Sequence, residues 1–228
     1  MERAVLIELY ANVVVGGLLL GAVYALIATG LNVIFGVMRM VNFAHGEIVV
    51  AGMYVGYGFW HLTGLPAVAA LPLAAAALFG AGYAFQRLVA NRFVEAAQHV
   101  QFILFIGLAL MITGVHAMLF GPDLRPIQSA AGFDVYRIGV LRLDAVRTQG
   151  ALWAFVLIAA LWAWLRYAVT GKAIRAAAEN LAGGRAIGIR VAHLFAIVAG
   201  IGFACAGAAG TLVAPLFDTH PILPAISR

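Results

Sequence analysis

Charged residues divide the chain into long apolar runs. No Asp, Glu, Lys or Arg occurs in 9–38, 48–86, 96–122, 148–165 or 191–217, runs of 30, 39, 27, 18 and 27 residues. A helix needs about 20 apolar residues to cross the hydrocarbon core of a bilayer. The 39-residue run is too long for one helix, and His61-Leu62-Thr63-Gly64-Leu65-Pro66 splits it, since Gly and Pro punctuate helices. Six spans are therefore expected, at roughly 10–35, 43–61, 67–88, 100–120, 150–167 and 191–213. The apolar residues do not alternate with polar ones as barrel strands would, and an open sheet cannot span lipid. The expected fold is all-α: one polytopic transmembrane helix bundle over residues 1–228.

The connections carry the topology signal. Residues 166–190 hold Arg166, Lys172, Arg175, Arg185 and Arg190 against one acid, Glu179. This basic loop is placed in the cytoplasm, because Lys and Arg accumulate on that side. Counting spans back puts residues 89–99 inside, and 62–66, the loop 121–149 and the N-terminus outside. Within that loop, 135–143 partly alternates and predicts a small hairpin outside the membrane. Met1-Glu2-Arg3 is no convincing basic n-region, and the first apolar segment is too long for a signal sequence, so it reads as a retained helix.

Composition agrees. Of the 228 residues, 64% are hydrophobic and 10% charged, against about 25% charged in soluble domains. So few charges cannot coat a water-exposed surface, which excludes soluble, disordered and fibrous classes. The net charge of +5 sits between apolar segments and is a topology signal, with no nucleic-acid partner implied. A single cysteine, Cys205, excludes an intrachain disulfide and a Cys-cluster metal site. The 26 glycines recur at helical spacing: Gly17 with Gly21, Gly52 with Gly56, and Gly202 with Ala206 and Gly210. Ala199, Phe203, Gly207 and Thr211 form a second face beside the last set. Small residues at this spacing let helices approach closely in lipid.

Two segments carry candidate chemistry. Asn42-Phe43-Ala44-His45-Gly46-Glu47 opens the second span. A carboxylate inside the membrane costs at least ~2.5 kcal/mol and is expected to face the bundle or a cavity. Asn42, His45, Gly46 and Glu47 thus read as a translocation-pathway site or a structural lock, with Gly46 supplying a close backbone approach; a wetted carboxylate at a helix start is the alternative for Glu47. His116 reads as a packing histidine. The second segment, 171–180, predicts a short Ala-rich helix with Arg175 and Glu179 as i,i+4 neighbours. Its charges oppose the helix dipole, so they are expected to answer a surface, either a partner protein or lipid headgroups. Leu181-Ala182-Gly183-Gly184 is expected to loosen the chain. Gly171-Lys172 lacks the remainder of a phosphate loop, and no nucleotide site, metal site or cofactor is implied.

The run 21–31, Gly36 and then Val41-Asn42-Phe43-Ala44-His45-Gly46-Glu47 resemble the start of the branched-chain amino-acid ABC transporter permeases, closest to the LivH-type subunit. Gly171, Lys172, Arg175, Glu179 and Gly188 match that family's cytoplasmic ATPase-docking loop, here 168–190. Gly183-Gly184 and Gln86-Arg87 depart from its pattern, and the family continues with more helices past the position of Pro221, so the chain looks like a C-terminally truncated member. The resemblance implies a multi-pass subunit of a bacterial inner membrane that is not itself an enzyme. Its partners would be a second, LivM-like permease, two ATP-binding subunits and a periplasmic substrate-binding protein delivering Leu, Ile or Val. Urea, short amides and other amino acids are handled by similar subunits. A non-transporting remnant is a further reading. A proton- or sodium-driven carrier would want an acidic relay, and Glu47 alone is available. The topology predicts that cysteines introduced at Ser129 and Asn180 label from opposite sides of the membrane; labelling of both from one side would refute it.

Overall fold

The computed structural model describes residues 2–121, 135–139, 141–186 and 188–216. Helices dominate: α1 (Glu2–Met38), α2 (His45–Thr63), α3 (Leu71–Leu88), α4 (Gln98–Phe120), α5 (Ala145–Tyr167), α6 (Val169–Glu179), α7 (Leu181–Ala186) and α8 (Val191–Val213). Strands β1 (Val135–Ile138) and β2 (Leu141–Asp144) pair antiparallel, which is the hairpin that the alternation predicts.

By length and composition, five helical segments can cross a membrane: Leu6–Met38, Ala67–Leu88, Gln98–Phe120, Ala145–Tyr167 and Val191–Leu216. The second expected span, α2, is not among them. Its 19 residues include His45, Glu47, four Gly and two Tyr, which dilute its apolar content. It still runs from one end of the bundle to the other, with His45, Ile48, Val49, Gly52 and Gly56 buried. The first and fifth spans are longer than expected. Asp144 caps α5, accepting from Arg147 N at 2.9 Å, so that helix begins five residues before the expected 150. The 37 residues of α1 reach ~55 Å, and its far end carries the β-hairpin: Arg142 pairs with Glu8 at 3.5 Å and its amide donates to Asn12 Oδ1 at 2.6 Å.

The ends alternate as the charge map predicts. Residues 39–44, the turn after α3 and the α6–α7 segment meet at one end, where Met40 and Ala44 share an apolar cluster with Ile174 and Ala177. Residues 64–66, the β-hairpin and the start of α5 lie at the other.

The core is built on α8, buried along nearly its whole length. It is gripped by α1, α2 and α3 at backbone-to-backbone range. A side chain at Gly30 of α1 would meet Gly202 O at 2.7 Å. One at Gly82 of α3 would meet Phe203 Cγ at 2.6 Å, and one at Gly207 would meet Leu78 at 2.5 Å. Gly52 lies on the Gly207 backbone, Gly210 on the Val49 carbonyl, and Thr211 Oγ1 donates to Gly207 O at 3.0 Å and Gly52 O at 3.3 Å. Ala206 is wholly buried between them. The expectation of close packing fails for Gly17 and Gly21: both are exposed and have open space where a Cβ would stand. They lie on the side of α1 turned away from α8, so their spacing alone did not bring a neighbour. Gly210→Ala should therefore cost about 1–3 kcal/mol through overpacking, whereas Gly17→Ala should leave stability unchanged or raise it by up to ~1 kcal/mol through helix propensity. Thermal unfolding of the two variants in detergent checks the contrast.

Candidate functional site

The site is assembled at the end where α1 stops, α2 starts and α6–α7 projects. Arg39 terminates α1 in the left-handed region at φ 58°, its amide donating to Phe35 O at 2.9 Å. Met40 then turns inward and Asn42 folds the chain back. Asn42 Oδ1 accepts from Ala44 N at 3.0 Å, and Asn42 O from His45 N at 3.2 Å. The side chain of His45, buried like that of Asn42, reaches across to α1, with Nε2 3.0 Å from Ile27 O. These two residues close the α1–α2 turn and pin the start of α2 to its neighbour.

Gly46 and Glu47 do something different. Gly46 is exposed on α2, has no positive φ, and a Cβ there would meet nothing within 4 Å. The close approach expected of it is absent, because the turn is made by Asn42 and by Arg39 instead. Glu47 is half-buried on the side of α2 that turns toward α4, and lies within electrostatic range of His116.

The second motif forms a helical pair. In α6, Gly171, Ile174 and Ala177 face inward, while Lys172, Arg175 and Glu179 are exposed. Gly171 sits against the backbone of Leu165 and Trp164 (2.5 and 2.7 Å from a built Cβ), so a side chain would push α6 off the end of α5. The opposed charge noted in the sequence has a concrete answer at Arg175. Its guanidinium donates to Leu165 O, and to Arg166 O at 3.5 Å. These are carbonyls of the last turn of α5, which lack helical partners and carry the negative end of that helix dipole. Arg175 is thus a bracket between α5 and α6 rather than a free surface cation. Lys172 and Glu179 make no side-chain bond within the described residues and remain available.

The glycine pair does not loosen the chain. Gly183 and Gly184 lie inside α7, because Asn180 Oδ1 accepts from Gly183 N at 2.8 Å and starts a new helix. That helix closes on Gly188, at φ 86°. Gly188 N donates to Arg185 O and Ile189 N to Gly184 O, both at 3.1 Å, the paired bonds of a Schellman end. Gly188 therefore owes its place to backbone geometry. The pair is also tied to the turn after α3: Arg185 meets Glu95 at 3.0 Å, and Asn91 donates to Ala192 O at 2.9 Å and accepts from Gln86 at 3.0 Å. Asn91, Arg92, Glu95, Arg185 and Ile189 line a cleft of about 380 Å³ there. No local pattern signals that 89–95 and 185–192 meet, since the link depends on α3 and α8 packing side by side.

Residues 13–225 match the family described as branched-chain amino acid transport system / permease component. The chain is 28% identical over 222 residues to the high-affinity branched-chain amino acid transport system permease protein LivH of Escherichia coli (strain K12), covering 88% of this chain and 69% of that protein. It is 27% identical over 218 residues to the permease protein BraD of Pseudomonas aeruginosa, covering 90% and 70%. No solved structure matches the chain.

Replacing Gly188 by Ala should cost ~1–2 kcal/mol at the left-handed position and open the α7–α8 connection to limited proteolysis. Gly46→Ala should leave the digestion pattern unchanged.

Proposed function

The chain belongs to the branched-chain amino acid permease-component family, and we propose that it works as one membrane subunit of an ATP-driven importer for branched-chain amino acids. In this reading a second permease completes the pathway, two ATP-binding subunits attach on the cytoplasmic side of the inner membrane, and a periplasmic protein delivers Leu, Ile or Val. ATP hydrolysis belongs to the partner subunits.

The α6–α7 pair is the observation that carries the proposal. It projects from the bundle on rigid supports, with Arg175 on the end of α5, Arg185 on Glu95 and a Schellman turn into α8. Lys172 and Glu179 are turned outward. A short helix held this way fits a groove on a partner, with charged groups setting register. Its inner face shares one apolar cluster with Met38, Met40, Ala44 and Ile48 of the α1–α2 turn. Closure of the ATP-binding subunits against α6 would then be felt at the lock formed by Asn42 and His45. Access would switch between sides by rocking of the helices.

Because Arg175 is engaged inside the subunit, Lys172 is the cleaner probe of docking. Lys172→Glu should reduce co-purification of the ATP-binding subunits several-fold while membrane insertion stays intact. Co-purification and stimulated ATP hydrolysis both at parental levels would refute docking through α6 and favour a headgroup-binding role for the basic loop.

A further inference from the structure

Helix α2 has two unlike sides. His45, Ile48, Val49, Gly52 and Gly56 are pressed onto α1 and α8. The other side carries Glu47 and Tyr54, seven residues and two turns apart, toward α4. That neighbour is a poor packing partner: along the whole of α4 only Phe105 and Leu108 are buried. Aromatic rings close the two ends of the seam. Phe43 meets Phe102 edge-on at 4.6 Å, and Tyr54 stacks on Phe120 at 4.0 Å. His116 stands beside Tyr54 at 4.8 Å between ring centroids.

The polar atoms in this seam are unsatisfied. His116 Nδ1 is shut off from solvent and has no hydrogen-bond partner. Among the described residues the Tyr54 hydroxyl and the Glu47 carboxylate take no hydrogen bond either. Unpaired polar atoms are costly in an apolar medium, and an ionisable group at membrane depth that is not paired within the protein marks a ligand or ion path. Packing does not account for the set, since an apolar ring at 116 would stack on Tyr54 equally well. The three groups differ in kind: one anion, and two groups able to donate a hydrogen bond. An amino acid zwitterion needs that complement, an anion for its ammonium and donors for its carboxylate. The rings of Tyr54 and Phe120 offer an apolar surface to an aliphatic side chain.

We propose that Glu47, Tyr54 and His116 line the substrate route along the α2–α4 seam, Glu47 receiving the ammonium group and His116 and Tyr54 the carboxylate of a zwitterionic aliphatic amino acid. This rests on the permease function proposed above.

The test is leucine uptake by the complete transporter reconstituted in vesicles, with Glu47→Gln, Tyr54→Phe and His116→Phe compared with His61→Phe, an exposed position on α2. Charge-assisted contacts of this type correspond to about tenfold or more in affinity. Glu47→Gln and His116→Phe should each raise KM at least about tenfold with assembly of the complex unchanged, and His61→Phe should not. Tyr54→Phe keeps the ring stack and loses the hydroxyl, so its folding is secure; it should raise KM several-fold. Inhibition of uptake by leucinol, which has the ammonium but no carboxylate, should weaken in Glu47→Gln and persist in His116→Phe. A parent complex that takes up no aliphatic amino acid would overturn the permease reading itself. A parent that transports, with KM unchanged in Tyr54→Phe and in either of the other two, would overturn the assignment of the seam alone.

Discussion

Helix α8 can be enclosed by α1, α2 and α3 only where its backbone is bare. In water, apolar side chains drive helices together whatever their shape. In lipid the surroundings are as apolar as the side chains, and close contact has to come from fit. Gly202, Ala206, Gly207 and Gly210 provide it on α8, and Gly30, Gly52 and Gly82 answer from the three neighbours. Every other placement follows. The inner side of α2 is fixed by Gly52 and Gly56 on α8, which turns Glu47 and Tyr54 outward. The side-by-side course of α3 and α8 brings Asn91 to Ala192 and Tyr83 OH to within 2.9 Å of His193 Nδ1.

Polar groups in this molecule are mostly spent on the main chain. His45 reaches an α1 carbonyl, Asn42 a turn amide, Arg175 the end of α5, and Asn180 the start of α7. Each serves a backbone group that a helix end or break leaves open, a need that is acute where no water can help. Against that background Asn42 Nδ2, His45 Nδ1 and His116 Nδ1 are buried without a hydrogen-bond partner, and among the described residues the Glu47 carboxylate takes no hydrogen bond.

The helices were legible in the sequence because their signal is one-dimensional. Charge gaps delimit spans, Gly64 and Pro66 divide two of them, and alternation over 135–143 gives the hairpin. Faces were harder. Gly17 and Gly21 have the same spacing as Gly52 and Gly56, yet only the second pair meets a neighbour, since spacing names a stripe and not what lies across from it. The hexad was found from its residue types, but the division of labour within it was not: Gly46 is idle space, while Arg39, three residues upstream, takes the left-handed turn. Asn180 was read as the end of a helix and is also the cap of the next, which Gly183 and Gly184 obscured. His116 looked like packing because its companions, Tyr54 and Glu47, lie more than sixty residues away.

The inner end of α4 is moored by one side chain. Gln101 Nε2 lies 3.2, 3.0 and 3.1 Å from the carbonyls of Phe93, Val94 and Ala96, Phe105 and Leu108 join the main apolar cluster, and the far end rests on Tyr54. A rod fastened near one tip amplifies small rotations. Phe120, at the end of α4, stands ~28 Å along the helix from Gln101, so a swing of roughly 10° about Gln101 carries it about 5 Å, enough to part a stacked ring pair. The amide at position 101 is in this sense a fulcrum, and an angle at one end of α4 bears on the width of the α2–α4 seam at the other.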